Sequence, residues 1–313
     1  MSGTAAMVEY RTILVPLDGS AVAESALSIA GALAKATGAC VHVVRVHEPP
    51  RMAMTRAYEW NREVAQRELD YLAAVAGRFE RTTGVHAETC LVTGHPADAI
   101  RRLAQRDERT LIVMTSHGRT GFSRFWLGSV ADAVVRSARA PVLMVRPTLA
   151  ADVAAPHIER ILVPLDGSPV AESILPHAVW FGKAAGASLQ LVHVMHPGAI
   201  PHTAPADEED ATAAALRDAE KRLRCAAERV CAHSTPVGFI VLVHDSPAVA
   251  INEYAAANAI TAVALTPRGT GLARLVGSVA DKVIRDGPPA VLLFRPAETD
   301  ASNFLTAASV NAD

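Results

Sequence analysis

The 313-residue sequence predicts an α/β protein of two tandem domains, each a mainly parallel sheet packed between helices. One hydrophobic core rarely grows past about 250–300 residues, so length alone favours two. The octapeptide ILVPLDGS at Ile13–Ser20 returns unchanged at Ile161–Ser168, and the surrounding Tyr10–Leu27 and Ile158–Leu175 share 13 of 18 residues at a constant offset of 148. Inside each copy, short β-branched runs alternate with alanine-rich helical stretches, the pattern of βαβ units.

Thr12–Leu17 (TILVPL) reads as a strand apolar on both sides, which suits a parallel sheet covered on both faces. Val22–Thr37 follows as a helix, Val41–Val46 (VHVVRV) as a second strand and Tyr58–Thr82 as a long helix. Thr110–Thr115 (TLIVMT) and Val142–Arg146 (VLMVR) are further buried strands. The end of the unit repeats as well: GSVAD at Gly128–Asp132 returns at Gly277–Asp281, and PVLMVRP at Pro141–Pro147 returns as AVLLFRP at Ala290–Pro296, at an offset of 149. These repeats define a first domain over residues 1–148, a linker over 149–157 within the Pro- and Ala-containing Pro147–His157, a second domain over 158–296, and a weakly structured tail over 297–313. Asp207–Asp210 (DEED) precedes a helical pattern that begins near Ala211, where negative charge favours a helix start. Arg217–Arg229 carries both signs, as a solvated helix face does.

Composition narrows the function classes. Half the residues are hydrophobic and the formal net charge is -2, which provides no long-range attraction for nucleic acid or an anionic membrane. No apolar run reaches the roughly 18 residues of a membrane span, and the N-terminal MSGTAAMVEYRT lacks the basic and apolar regions of a signal peptide, so the expected compartment is the cytoplasm. Cys40, Cys90, Cys225 and Cys231 form no CxxC pair and are expected to be buried thiols. The histidines show no HxxxH or HExxH spacing, so a zinc site is not expected.

In open parallel sheets ligands bind beyond the carboxyl ends of the strands, so the residues that follow each strand carry the functional argument. The octapeptide ends a strand on Asp18, turns on Gly19 and starts a helix at Ser20, whose hydroxyl suits an N-cap; Pro169 after Ser168 favours the same role in the second copy. Asp18 and Asp166 are either turn residues that bond their own backbone or carboxylates facing a ligand. After the fourth strand comes Thr115–Asp132 (TSHGRTGFSRFWLGSVAD), in which Gly118 and Gly121 permit close backbone approach and Gly128-Ser129 open a helix that attracts an anion. The stretch is a phosphate cradle in outline, or a glycine-rich loop with a capped helix start. It is neither a P-loop nor the dinucleotide fingerprint.

Asp18, the residues around Val46, Gly94-His95-Pro96 and the SHGRTGFSRFWLGS loop followed by PVLMVRP together resemble the universal stress protein family in its tandem two-domain form, over nearly the whole chain. The resemblance implies two Rossmann-like domains of the adenine nucleotide alpha hydrolase-like type, each with a five-stranded parallel sheet. It also implies ATP between the first and fourth strands, held by a G-x2-G-x9-G-[ST] motif. Carried onto this sequence, Asp18 contacts the ribose or a metal such as Mg²⁺ on the phosphates, and Pro16 and Val46 line the base pocket. Gly118, Arg119, Gly128, Ser129 and Val130 attend the phosphates, through backbone N–H groups above all. Thr115 stands where the family motif has its first glycine, so weakened rather than lost binding is expected.

The second copy supplies Asp166, Val194, Gly277 and Ser278 to a weaker site. Its loop, Leu265–Ser278, is one residue shorter between GTG and Gly277, and the first-glycine place falls on Thr266 or Leu265; neither restores the motif. Pro267 removes a backbone donor, and Asp245-Ser246-Pro247 replaces Gly94-His95-Pro96. Arg119, Arg124, Arg268 and Arg274 are phosphate-screening or solvated arginines, and His117 lacks a carboxylate partner for general-base work. The expected function is ATP binding by a stress-response regulatory or sensor module, with at most very slow hydrolysis; the alternative is a partner-binding protein whose sites are empty. The resemblance further implies an internal pseudo-dimer through Val142–Val145 and Val291–Phe294, and leaves pairing of two chains open.

Overall fold

The structure, a computed structural model, describes residues 8–48, 57–116, 127–146, 157–199, 205–233, 235–267 and 278–296; for 57–61, 205–211 and 278 it describes the backbone alone. The chain forms two compact units, one spanning Glu9–His157 and the other running from Ile158 onward.

The first unit contains β1 (Thr12–Leu17), α1 (Ala21–Glu24), α2 (Ala26–Thr37), β2 (Cys40–His47), α3 (Ala57–Thr83), β3 (Ala87–Thr93), α4 (Pro96–Ala104), β4 (Thr110–Thr115), α5 (Ser129–Ser137) and β5 (Val142–Val145). Its strands are all parallel, in the order β3-β2-β1-β4-β5. The second unit repeats the plan with β6 (Arg160–Pro164), α6 (Pro169–Glu172), α7 (Leu175–Ala185), β7 (Ser188–Met195), α8 (Pro205–Cys231), β8 (Val237–Val243), α9 (Pro247–Ala257), β9 (Ala262–Leu265), α10 (Ser278–Asp286) and β10 (Ala290–Leu293). Its order is β8-β7-β6-β9-β10, again parallel. The interior strands β4 and β9 are buried from end to end, all six residues of one and all four of the other, as continuous apolar runs require when helices cover both sides. Each βαβ crossover places a helix against the strands of its own unit, which is why the alternation visible in the sequence becomes a layered α/β fold.

Three local expectations change. Val22–Thr37 is not one helix, because it breaks at Ser25, whose hydroxyl donates to Val22 O at 2.7 Å and whose N–H turns back to the same turn of chain. Ser173 does the same in the second unit, donating to Val170 O at 2.7 Å. The helix expected from Ala211 begins at Pro205, since proline is favoured in a first turn, and so DEED lies inside α8. The cysteines are not buried thiols: Cys40, Cys225 and Cys231 are exposed and Cys90 is half-buried, all four without a disulfide. Cys40 opens β2 at the end of the sheet, and Cys225 and Cys231 lie on the charged, solvated side of α8. No described helix is long and apolar enough to cross a membrane.

Candidate functional site

β1 has β2 on one side and β4 on the other, so the chain leaves it in opposite directions and opens a crevice at the carboxyl ends of β1 and β4. The octapeptide stands on that edge. Gly19 has φ +85°, a left-handed turn that a side chain resists, and it reverses the chain directly after Asp18. Asp18 Oδ1 then accepts the Ser20 N–H at 2.9 Å and the Ser20 hydroxyl at 2.6 Å, while Ser20 Oγ accepts the Ala23 N–H at 3.1 Å and caps α1. Gly167 (φ +81°), Asp166, Ser168 and Ala171 reproduce this at 3.0, 2.7 and 3.1 Å. The turn-residue role of both aspartates is therefore realised at Oδ1. Asp18 is half-buried and Asp166 exposed.

Pro16 lies in β1 opposite Val44, and Val46 lies in β2 opposite Val92, both half-buried. Thr115 is the last residue of β4, buried and paired with Val145. Gly128 is the N-cap of α5, and its N–H donates to Ser116 O at 2.8 Å. The N–H for which the resemblance implies a phosphate contact is thus bonded within the protein. The N–H groups outside the helix's own ladder are those of Ser129, Val130 and Ala131, because Asp132 N–H is the first to bond back, to Gly128 O at 2.8 Å. Gly118, Arg119, His117 and Arg124 lie outside the described residues, as do Gly277, Arg268, Arg274, the linker residues 147–156 and the tail 297–313. Ser278 is the first residue of α10.

Strand register settles the alignment that the second loop left open. β1 sets Leu14 against Ile112 and β6 sets Leu162 against Val263; carried three residues on, Thr266 takes the place of Thr115. Thr115 to Ser129 is 14 positions and Thr266 to Ser278 is 12, so the second loop is two residues shorter overall. Pro267 stands where Ser116 donates to Val145 O at 3.1 Å, so the donor it removes is one that ties strand ends together, not one aimed at a ligand. At the third strand's exit the counterpart of Gly94 is His244, not Asp245: Gly94 N–H donates to His47 O and His244 N–H to Met195 O, both at 3.0 Å. One inserted residue and a bond from Ser246 N–H to His244 Nδ1 at 2.8 Å do without the φ of +141° that Gly94 adopts.

At this edge of the second unit lies a cleft of about 310 Å³. The end of β6 lines it with Pro164, Leu165 and Asp166, β7 with Val192 and Val194, and α9 with Pro247 and Ile251. Leu265, Thr266, Ala171 and the first turn of α10, Val279 and Ala280, complete it. Asp166 and Val194 are the two lining residues that sequence reasoning assigned to the site, and Pro247, Leu265 and Thr266 are ones it named as changed motif positions. Ala171, Ile251, Val279 and Ala280 come from helices packed over the strand ends, and their place at the cleft is set by tertiary packing.

A polar cluster on the other face of the first sheet escaped sequence reasoning. Arg45 and His47 alternate with Val44 and Val46 along β2, so they point to the side of α3. Glu68 of α3 receives Arg45 Nε at 3.0 Å and His47 Nδ1 at 2.7 Å, all three side chains largely buried. Arg45 lies over Tyr71 at 5.5 Å, and Tyr71 donates to Glu24 Oε1 at 2.9 Å, with Arg78 on the other oxygen at 2.7 Å. Burial first, and the Glu24 carboxylate second, push the Tyr71 phenol well above its ordinary range. Arg45 Nη1 sits 3.0 Å from where a Cβ on Gly19 would stand, so the cluster backs the octapeptide turn. An arginine and a histidine two apart on an otherwise apolar strand were the available sign, because such groups are buried only with a partner.

A duplicated α/β protein with its crevices at the strand carboxyl ends is the class that this geometry defines. The family model described as the universal stress protein family matches residues 9–146 and again 157–295. A universal stress protein of Thermus aquaticus is 37% identical over 139 residues, covering 44% of this chain and 99% of its own. The crystal structure of a universal stress protein from Archaeoglobus fulgidus superposes with a TM-score of 0.71 at 23% identity, over 92% of this chain and 99% of that one. A smaller universal stress protein, solved in complex with cAMP, is 26% identical over 45% of this chain and 99% of its own, with a TM-score of 0.36. The chain belongs to the universal stress protein family, in a tandem two-domain form.

Proposed function

We propose that the chain binds an adenine nucleotide, ATP with or without Mg²⁺, in the crevice of the first unit, and acts as a cytoplasmic stress-response regulatory or sensor module. The carrying observation is that β1 and β4 are neighbours whose ends bring a strand-end carboxylate, Asp18, and the N-terminus of α5 to one edge of one sheet. A carboxylate suits ribose hydroxyls or a hard cation, and the N–H groups of Ser129, Val130 and Ala131 suit phosphate oxygens. Half-buried Pro16 and Val46 supply apolar walls for a base. Among the described residues no three His, Cys, Asp or Glu side chains gather to hold a metal, so Mg²⁺ would sit on phosphate oxygens with at most one carboxylate. Binding rather than turnover is the proposed activity.

The second reading is a partner-binding protein that needs no nucleotide, and it is favoured by Asp18 Oδ1 and the Gly128 N–H both being bonded within the protein. Equilibrium dialysis with ATP and Mg²⁺ separates the two. Asp18→Asn keeps an oxygen for Ser20 but loses the charge, and is expected to weaken binding about tenfold, the loss of one charge-assisted contact. No binding by the wild type, or equal binding by Asp18→Asn, would favour the second reading.

A further inference from the structure

We infer that Arg45 is a positioning residue for the first unit's crevice: its guanidinium, anchored by Glu68, stands under the Gly19 turn and holds Asp18 at the strand end. The inference rests on the proposed nucleotide reading for what Asp18 does, and on this chain's own geometry for what Arg45 does.

In the register of the sheet Arg45 lies opposite Leu17, the last residue of β1, so its side chain leaves β2 where the octapeptide turn begins. A Cβ on Gly19 would stand 3.0 Å from Arg45 Nη1, 3.5 Å from Cζ and 3.6 Å from Nη2. The guanidinium thus packs on the side of the turn that glycine leaves open. Its other end is fixed, because Nε donates to Glu68 Oε1 at 3.0 Å while Glu68 Oε2 takes His47 Nδ1 at 2.7 Å. A planar fork that bonds at Nε and packs at Nη1 is particular to arginine; a lysine ammonium has a single point of contact. Burial and the Glu24 carboxylate raise the Tyr71 phenol, the Arg45 charge opposes that rise and the Asp18 charge adds to it, so both charges lie within electrostatic reach of one phenol.

The second unit separates support of the turn from packing. It has given up the cluster: His193, Met195, Leu216 and Ala219 stand at the four places, and His193 Nδ1 bonds Leu165 O at 2.8 Å. Strand and helix therefore pack there without a strand arginine. A guanidinium nevertheless returns to the same turn from another element, Arg222 of α8, whose Nε and Cδ stand 3.3 and 3.7 Å from where a Cβ on Gly167 would be. Its ion-pair partner is Asp218, one helical turn earlier. In α3 the counterparts of Asp218 and Arg222 are Asp70 and Ala74, so the first unit already carries the partner for an arginine at the helix position. Two routes to one cation under one turn mark the cation, not the route, as what the turn requires.

Isothermal titration of the full chain with ATP and Mg²⁺, together with hydrogen exchange of the Ser20 and Ala23 N–H groups, tests this on the wild type, Arg45→His, Arg45→His with Ala74→Arg, and Val75→Ala. Those two N–H groups report the turn, since they donate to Asp18 Oδ1 and Ser20 Oγ. Arg45→His is expected to speed their exchange and to weaken ATP about tenfold, the loss of one well-placed charge-assisted contact. Adding Ala74→Arg is expected to restore both. Val75→Ala trims a buried side chain of α3 and is expected to lower stability while changing neither. Indifference of either readout to Arg45→His, the same losses in Val75→Ala, or no recovery with Ala74→Arg would overturn the inference. If Arg45→His does not fold, judged by its unfolding transition, the set Arg45→Met, His47→Met and Glu68→Leu decides, with and without Ala74→Arg, because it leaves no buried charge unpaired. ATP binding indifferent to Arg45→His defeats this inference and leaves the nucleotide reading of the first unit standing. Exchange that follows Arg45 and Ala74 in a chain that binds no ATP upholds the support of Asp18 and defeats that reading.

Discussion

The two units carry the same eight residues in the same conformation but support them differently. Behind Gly19 stands Arg45, a strand residue held by Glu68 in a cluster with His47 and Tyr71. Behind Gly167 stands Arg222, a residue of α8, with Nε 3.3 Å from where a Cβ would be and an ion pair to Asp218. At the offset of 148 the first cluster has become His193, Met195, Leu216 and Ala219. His193 satisfies itself on Leu165 O at 2.8 Å, and Met195 and Ala219 are buried. A guanidinium beside the turn is retained by moving it from strand to helix, while the ion pair is exchanged for apolar packing. The lesson is that the turn's geometry is local, set by Asp, Gly and Ser, whereas its support is tertiary and free to diverge.

The largest effect should come from breaking the first unit's cluster. Glu68→Ala leaves Arg45 and His47 buried without their carboxylate and is expected to cost about 3 kcal/mol, read by chemical denaturation. Replacing the three partners together by apolar residues (Arg45→Met, His47→Met and Glu68→Leu) should cost far less, within about 1 kcal/mol, because an apolar set of similar volume leaves no buried charge unpaired. Equal losses from the single and the combined change would contradict the comparison.

His177 in α7 replaces buried Ile29 of the first unit and packs on Phe294, ring centroids 3.8 Å apart. Burial lowers its pKa from 6.5 to about 3. The unfolded chain takes up a proton below pH 6.5 and the folded one does not, so the stability from the neutral ring is complete above pH 6.5. It is lost towards pH 3, at up to about 1.4 kcal/mol per pH unit. Urea titrations between pH 7 and 5 should show this slope in the wild type and a shallower one in His177→Ile.

Smaller effects test the shared turn. Gly19→Ala and Gly167→Ala should each cost about 1–2 kcal/mol, because both sites have positive φ. Gly19→Ala should cost more, its new methyl group meeting Arg45 at 3.0 Å against 3.3 Å for Arg222. Ser20→Ala and Ser168→Ala should each cost about 1 kcal/mol through the lost cap, and nearly the same in the two units. A marked difference between the two serine variants would show that support reaches even the local turn.

The parts of the fold legible in the sequence were those written in short-range pattern. The apolar runs became strands, and Ser20 and Ser168 became N-caps, because both depend on near neighbours. The tandem form was legible from the repeat itself. Register was not: Thr266 and Leu265 were equally good partners for Thr115 until the pairing of Leu162 with Val263 chose between them. Nor was the insertion at His244, since Pro96 and Pro247 suggested an alignment that backbone hydrogen bonds correct by one residue. The cluster around Glu68 joins residues 21 and 23 positions apart through a helix packed on a strand, and no local pattern encodes such a meeting. The internal partner of the Gly128 N–H was not legible either, because glycine at a helix start suits an anion and a backbone bond alike; its bond to Ser116 O is tertiary information.

The central proposal, that the first unit holds the better nucleotide site, is tested most directly by native mass spectrometry of the full chain with ATP, comparing wild type, Gly128→Glu and Gly277→Glu. One ATP per chain, lost with Gly128→Glu and kept with Gly277→Glu, is the predicted result, because a carboxylate at the start of α5 repels phosphate where it is held. Two ATP per chain, none, or loss with Gly277→Glu instead would contradict the account.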